Sequence, residues 1–424
     1  MKRSNFTPKQ PYSYLVIAIF LLIATSCNLL EVENPNSLTV DDVSSSTSAA
    51  GLKNGQLSAL MSGIAWTYAA TSTISDEIYW TGSYESYKIF DEGRISFDAN
   101  EILIGGFPEI SQARYMSDFA IEKLEGFNSS GELSDLSILV KAYIYSALTR
   151  ITIADAYDNF VFSSGTESSP AIGEAQMSTL YDQAISSLST ALSLAQQINN
   201  TELQAQAVGL RARAKHAKAV WQMLNPKGST PSNPLVSGSG ASTDALAAME
   251  LMSDDYKAIL DYNTSKVTNY LASQVNSRGE LTITEPFNDI ITGEVDPRAK
   301  AIYDDFYNTS LYGEDYSPLT WLSKREMHLI VAEEAIGTSN ATAVEHINAV
   351  RALDDLTLIT DQQDLVEVIE HERRANLLLQ GRRLVDLYRF GSEADKWLQS
   401  EEAVQTPGTF LPIPRNEKQA NTNL

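Results

Sequence analysis

Histidine, cysteine and paired carboxylates are the residue types most able to do chemistry. The chain has four histidines, His216, His328, His346 and His371, and a single cysteine, Cys27. His371-Glu372 opens an H-E-x-x pattern, but residue 375 is alanine, so no second imidazole stands one helical turn on to complete a zinc pair. The histidines are scattered along helix-like segments and read as solvent-facing or structurally hydrogen-bonded. Gly238-Ser239-Gly240 lies in a Ser/Gly loop and lacks the G-x-S-x-G spacing of a hydrolase nucleophile. With 54 acidic residues, a carboxylate pair for glycoside hydrolysis can be drawn almost anywhere, because only distance in space defines one. Asp254-Asp255, Asp304-Asp305 and Asp354-Asp355 read as helix-end or solvated charges. Neither a catalytic set, nor a metal set, nor a phosphate or dinucleotide fingerprint emerges, so no cofactor is expected.

The aromatic residues carry more information. Ile78–Phe90 (IYWTGSYESYKIF) holds Tyr79, Trp80, Tyr84, Tyr87 and Phe90. Ile302–Trp321 holds Tyr303, Phe306, Tyr307, Tyr312, Tyr316 and Trp321. Both clusters sit among Gly, Ser, Thr, Asp and Asn. Rings with polar neighbours suit sugars or other amphipathic ligands, through stacking flanked by hydrogen bonds. Trp80, Tyr84, Tyr87, Tyr312 and Trp321 are the candidate ligand-binding residues; the competing reading places each in the core.

A formal net charge of −23, from 31 basic and 54 acidic residues, argues against nucleic acid, since an acidic surface repels a phosphate backbone. Within that acidic chain, Glu372–Gly391 (ERRANLLLQGRRLVDLYRFG) packs five arginines, Arg373, Arg374, Arg382, Arg383 and Arg389. A guanidinium bonds a carboxylate bidentately and keeps its charge. These arginines therefore read as structural, with partners such as Glu326, Glu333, Glu334, Glu372 and Asp386. Gly381 is expected to turn the chain sharply.

The elements that must position these groups are mostly helices. Leu139, Val140, Tyr143, Ile144, Leu148 and Ile151 follow the i, i+3, i+4, i+7 spacing of a helix with one buried face. Residues 180–195 and 208–224 repeat it, and Asn225-Pro226 stops the latter. Residues 225–243 read as a surface loop, 243–260 as helix, 281–284 as a strand, and 323–336, 341–353 and 365–379 as helices. Asp296-Pro297 reads as a turn. Helix pairs with short turns predict a mainly α, degenerate helical-repeat scaffold, with irregular loops carrying most of the tryptophans.

At the N-terminus, Lys2, Arg3 and Lys9 precede the apolar run Tyr14–Thr25, which is short for a membrane span and suits a signal peptide. Cys27 follows small residues, as in a bacterial lipobox, and is the expected lipidation site. The organisation expected is a lipoprotein signal peptide over 1–26, a flexible tether over 27–50 and a single α-helical domain over 51–424. No segment after the leader is expected to be long and apolar enough to span a membrane.

Four stretches together resemble the SusD/RagB family of surface lipoproteins: Cys27 with LEVENPN; KAYIYSALTRITIADAYDNFVF (Lys141–Phe162); DPRAKAIYDD (Asp296–Asp305) leading to LSKREMHLIVAEEAI (Leu322–Ile336); and Glu372–Gly391 with the terminal FLPIPRNEKQANTNL. Family members often carry an acid before the glycine that is Gly381 here; Gln380 replaces it. The resemblance implies a tetratricopeptide-like helix-pair scaffold with long irregular ligand-binding loops and no catalytic activity. It also implies capture of a glycan, or a peptide, for a SusC-like TonB-dependent barrel. Such a protein is held on the outer membrane by its lipid alone and faces the cell exterior. The alternatives are a secreted α-helical glycoside hydrolase and a scaffold lipoprotein that binds no small ligand.

Overall fold

Apolar spacing and side-chain caps set the helices. In the computed structural model, which describes residues 43, 45–164 and 167–424, residues Ser46–Leu424 form one unit. The leader and Cys27 lie outside the described residues. Helix α1 spans Ala49–Ile74, so the last residues read as tether already belong to its first turn. The chain continues through β1 (Ile78–Trp80), α2 (Glu85–Asp91), α3 (Glu101–Ser129), α4 (Leu136–Ala156), α5 (Thr179–Gln197), α6 (Thr201–Leu224) and α7 (Ala241–Met249). Then follow β2 (Lys257–Leu260), β3 (Leu281–Ile283), α8 (Pro297–Phe306), β4 (Leu319–Ser323), α9 (Lys324–Ala335), α10 (Asn340–Ala352), α11 (Leu365–Asn376) and α12 (Arg383–Phe390).

Asn100, Asp135 and Asn200 each accept a backbone N–H from the first turn of α3, α4 and α6, satisfying a donor that the helix cannot. Helix α6 ends at Leu224, immediately before Asn225-Pro226, as expected. Successive helices pack side by side, α1 on α3, α3 on α4, α4 on α5, α5 on α6 and α6 on α7, and the series continues through α9 and α10. This is the helix-pair scaffold the sequence predicts, and the architecture is mainly α. Gly63 permits a close backbone approach of α1 to α3: a Cβ there would lie 3.0 Å from the Ile110 Cα.

Several expectations are corrected. Residues 257–260 form strand β2 rather than the end of a helix, because β4 pairs with them antiparallel, Ala258 opposite Leu322. Asp296-Pro297 starts α8: the Asp296 carboxylate caps Arg298 N, and proline stands where a helix needs no donor. Helix α11 stops at Asn376, short of Leu379, because Leu379 and Gly381 take left-handed φ of 59° and 71°. Trp66 and Trp221 lie in helices and Trp80 and Trp321 in strands, so loops do not hold most of the tryptophans. Helix α4 is, by length and composition alone, able to cross a membrane; it is instead largely buried between α3 and α5.

The C-terminal phrase closes the fold. Leu411 N donates to Ala156 O at 2.9 Å and Leu411 O accepts from Asp158 N at 3.0 Å, fastening FLPIP to the end of α4.

Candidate functional site

Two open clefts border the α11–α12 region, the first through Glu370, Arg374 and Arg383 and the second through Ala375, Asn376 and Leu378–Gln380. The first, of about 690 Å³, is bordered by Tyr79, Thr81, Thr282, Thr284, Phe287 and Arg374, among others. It is built on a two-stranded ribbon in which Tyr79 pairs with Thr282 and Trp80 with Leu281. Side chains alternate across a strand, so Ile78 and Trp80 turn toward the body of the protein while Tyr79 faces the cleft. Lys396 Nζ sits 5.8 Å from the Tyr79 ring centroid, and Thr81 and Thr282 hydroxyls bond each other at 2.8 Å. A half-buried ring beside a row of hydroxyls can stack on a sugar face and hydrogen-bond its rim.

The loop after β1 is rigidly tied. Glu280 accepts from Ser83 N at 2.7 Å and Tyr84 N at 2.8 Å, and a Cβ at Gly82 would collide with Glu280. Asp91 accepts from Trp80 N at 3.2 Å; burial pushes its carboxyl up to about 6 despite that bond. Glu77, fully enclosed, accepts from Ser72 Oγ at 2.7 Å and Leu379 N at 2.9 Å, and burial raises it to about 7.

The second cleft, of about 480 Å³, lies between the β2–β4 ribbon and α8, with Asn376 and Leu378–Gln380 as its wall. Tyr312 lines it and donates its hydroxyl to Asp305 Oδ1 at 2.9 Å.

The candidate ligand residues therefore separate. Tyr312 borders the second cleft, and Trp80 and Tyr84 are half-buried, packed against the core. Tyr87 and Trp321 depart from expectation: at 0% and 4% exposed they are core residues. Tyr87 donates to Tyr270 Oη at 3.0 Å, and Tyr270 in turn stacks on Trp66 at 3.4 Å. Within its cluster, Tyr79 is the ring that borders the first cleft. Its polar neighbours are shared by Trp80, and only strand pairing distinguishes the two faces.

All five arginines pair with carboxylates, and two of those carboxylates, Asp76 and Asp155, come from the N-terminal part of the chain. Arg389 is 0% exposed; it forks onto Glu333, with Oε2 at 3.0 Å, and onto Asp386 at 2.8 Å. Arg373 bonds Asp386 at 2.9 Å. Arg383 takes Asp76 at 2.7 and 3.0 Å, Arg374 reaches the same carboxylate at 2.9 Å, and Arg382 pairs with Asp155. Of the other partners expected, Glu326 binds Arg213, Glu372 binds Arg298 and Arg351, and Glu334 accepts from Ser239. Gln380 bonds Asn376 O at 2.9 Å through its amide nitrogen, and its Oε1 is buried without a partner. The guanidinium groups hold Asp76, Glu326, Glu333 and Asp386 below the ordinary carboxylate range, against the opposing push of burial.

Asp289, His371 and Glu372 bring ligand-type atoms within 4.8 Å of one another. Arg351 already bonds Asp289 at 2.8 Å and Glu372 at 2.6 Å, and Arg298 also takes Glu372, so this is an ion-pair cluster.

A sequence model of the SusD family matches residues 325–424, the part that holds α9 to the C-terminus. No curated protein matches the chain. Among solved structures, a SusD superfamily protein from Bacteroides fragilis is 15% identical, with a TM-score of 0.63 over 90% of this chain and 99% of its own. A SusD-like carbohydrate binding protein from Bacteroides vulgatus is also 15% identical, with a TM-score of 0.56 over 90% and 97%. A laminarin binding SusD-like protein, 15% identical, gives a TM-score of 0.50 over 88% and 97%. The fold is the SusD fold, and the resemblance read from the sequence is matched by the family model within residues 325–424.

Proposed function

We propose that this chain is a lipid-anchored, SusD-like surface protein that captures a glycan and passes it to a TonB-dependent outer-membrane transporter. The observation that carries the reading is the SusD fold, together with an open cleft that presents Tyr79 and a row of threonines. Proteins of this fold include carbohydrate binders, one of them for laminarin. Cys27 is the anchor, the helix-pair face is the side that meets the barrel, and the ligand reaches the ribbon clefts from outside. The protein holds its ligand without cleaving it.

Capture depends on Tyr79. Replacing it with alanine removes a stacking surface but little of the core, so glycan affinity falls about tenfold, or about 1.4 kcal/mol, while the melting temperature stays put. A glycan array followed by calorimetry on wild type and Tyr79→Ala measures this. Unchanged affinity moves the ligand to the Tyr312 cleft, and Tyr312→Ala then decides. A detergent pull-down from native membranes, with Cys27→Ala as control, tests the partner. Recovery of the anchored protein without any large barrel would sink the transporter reading, and turnover of a bound oligosaccharide would favour a hydrolase.

A further inference from the structure

The first cleft has two unlike walls. One is the outer face of the β1–β3 ribbon, where strand alternation puts Tyr79, Thr81, Thr282 and Thr284 on the same side. It offers a ring and three hydroxyls, with Glu285 at its end. The other wall runs from α11 to the segment after α12 and is ionic, with Glu370, Arg374, Arg383, Glu393 and Asp395. The two walls meet at the edge of the ring, where Asp395 Oδ2 stands 3.5 Å from the Tyr79 hydroxyl.

The charges around the cleft do not cancel. Five carboxylates and two guanidiniums border it, a formal charge of −3, which Lys396, 5.8 Å from the Tyr79 ring centroid, reduces to −2. Both guanidiniums are already taken: Arg383 by Asp76 at 2.7 and 3.0 Å and by Glu370 at 3.3 Å, and Arg374 by Asp76 at 2.9 Å. Glu285, Glu393 and Asp395 are exposed, and among the described residues none of the three forms an ion pair. An anionic ligand group would meet these carboxylates with both arginines committed. A ligand hydroxyl would meet acceptors, because an ionised carboxylate only accepts, and its hydrogen bonds are about twice as strong as neutral ones.

We propose that this cleft selects a polyhydroxyl saccharide that carries no carboxylate or sulfate group, with its ring face on Tyr79 and its rim hydroxyls on Asp395, Glu393 and Glu285. The inference rests on the capture reading above and sharpens it. Tyr79 supplies a stacking surface that any sugar can use, and the three carboxylates decide which sugar enters. They stand in solvent, so the discrimination is electrostatic and salt screens it, the Debye length being about 10 Å at 0.1 M and about 3 Å at 1 M.

Neutral polysaccharides (laminarin, dextran and xylan), each paired with its own sulfated derivative, are the probes, titrated against the full-length protein at low and high salt. The wild type should hold its best neutral chain about tenfold or more tighter than the sulfated form at low salt, and the gap should narrow at high salt. This salt series tests the charge without any variant. Glu393→Lys/Asp395→Lys should narrow the low-salt gap about threefold or more at an unchanged melting temperature. Glu122→Lys/Glu132→Lys, the same change of net charge at exposed positions outside the cleft, should leave the gap in place. Equal binding of the two forms by the wild type, a gap that salt does not narrow, or equal narrowing in both double variants would overturn the inference and leave capture intact. Binding of no chain in either form would instead remove the capture reading, and this inference with it.

Discussion

The helix stack from α3 to α6 and the region from α8 to α12 are both buried, yet different forces hold them. In the stack, Leu148, Ile151, Leu188 and Leu210 are each 0% exposed and meet mainly other apolar groups. In the second region, arginines are among the largest fully buried side chains: Arg351 and Arg389 are both 0% exposed and end on carboxylates. Apolar contact is non-directional, so it rewards any arrangement that excludes water. A guanidinium fork accepts only one alignment of its partner, which suits a segment whose path matters. The segment from Asn376 to Arg383 has such a path, because it borders both clefts while its arginines reach back to Asp76 and Asp155.

The sharpest way to break this comparison is to remove one end of a buried pair. Glu333→Ala leaves the Arg389 guanidinium enclosed with one of its two acids gone, and takes a partner from His216 and from Val236 N. The expected cost is about 3–5 kcal/mol in urea unfolding, and the double variant Glu333→Leu/Arg389→Met should cost less than the two single changes combined. A loss under about 1 kcal/mol would mean that the ionic region is held by packing after all.

In the stack, Leu148→Ala should cost about 3 kcal/mol, and a second substitution distant from it should add simply. Strong coupling between distant sites in the stack would erase the distinction between the two regions.

The mildest effect is on pH, and its sign differs from group to group. The folded chain holds the Glu77 proton more tightly than the unfolded chain, because burial raises that carboxyl to about 7 from 4.5. The stability Glu77 contributes is therefore complete below about pH 4.5 and lost as pH rises through about 7. Asp76, Glu326, Glu333 and Asp386 act oppositely: their contribution is present above the ordinary carboxylate range and lost as pH falls below it. Unfolding titrations should place the stability maximum near pH 5, and Glu77→Gln should flatten the decline toward neutral pH while leaving the acid limb in place. A decline that survives the substitution would assign it to another group.

Much of the scaffold was legible in the chain. The periodic apolar positions of α4, α5 and α6 marked those helices within a few residues, because a one-sided helix writes its buried face into its spacing. The stretch 257–260 was misread because strand β2 exists only through its pairing with β4, some sixty residues away. The site was less legible than the scaffold. Tyr87 and Trp321, like Tyr79, have polar sequence neighbours, and nothing local separates a ring that anchors a loop from one that faces a cleft.

By itself the sequence determined the helical class, through apolar periodicity, and the structural use of the arginines, through their number in an acidic chain. Tertiary structure alone decided which carboxylate each arginine received and which face of β1 met solvent. It also brought His328 and His346 within a hydrogen bond of one another from neighbouring helices. The physical reason is common to all three: periodicity is a local property of a chain, whereas the partner of a charge, a strand or an imidazole depends on what folding carries to it from a distance.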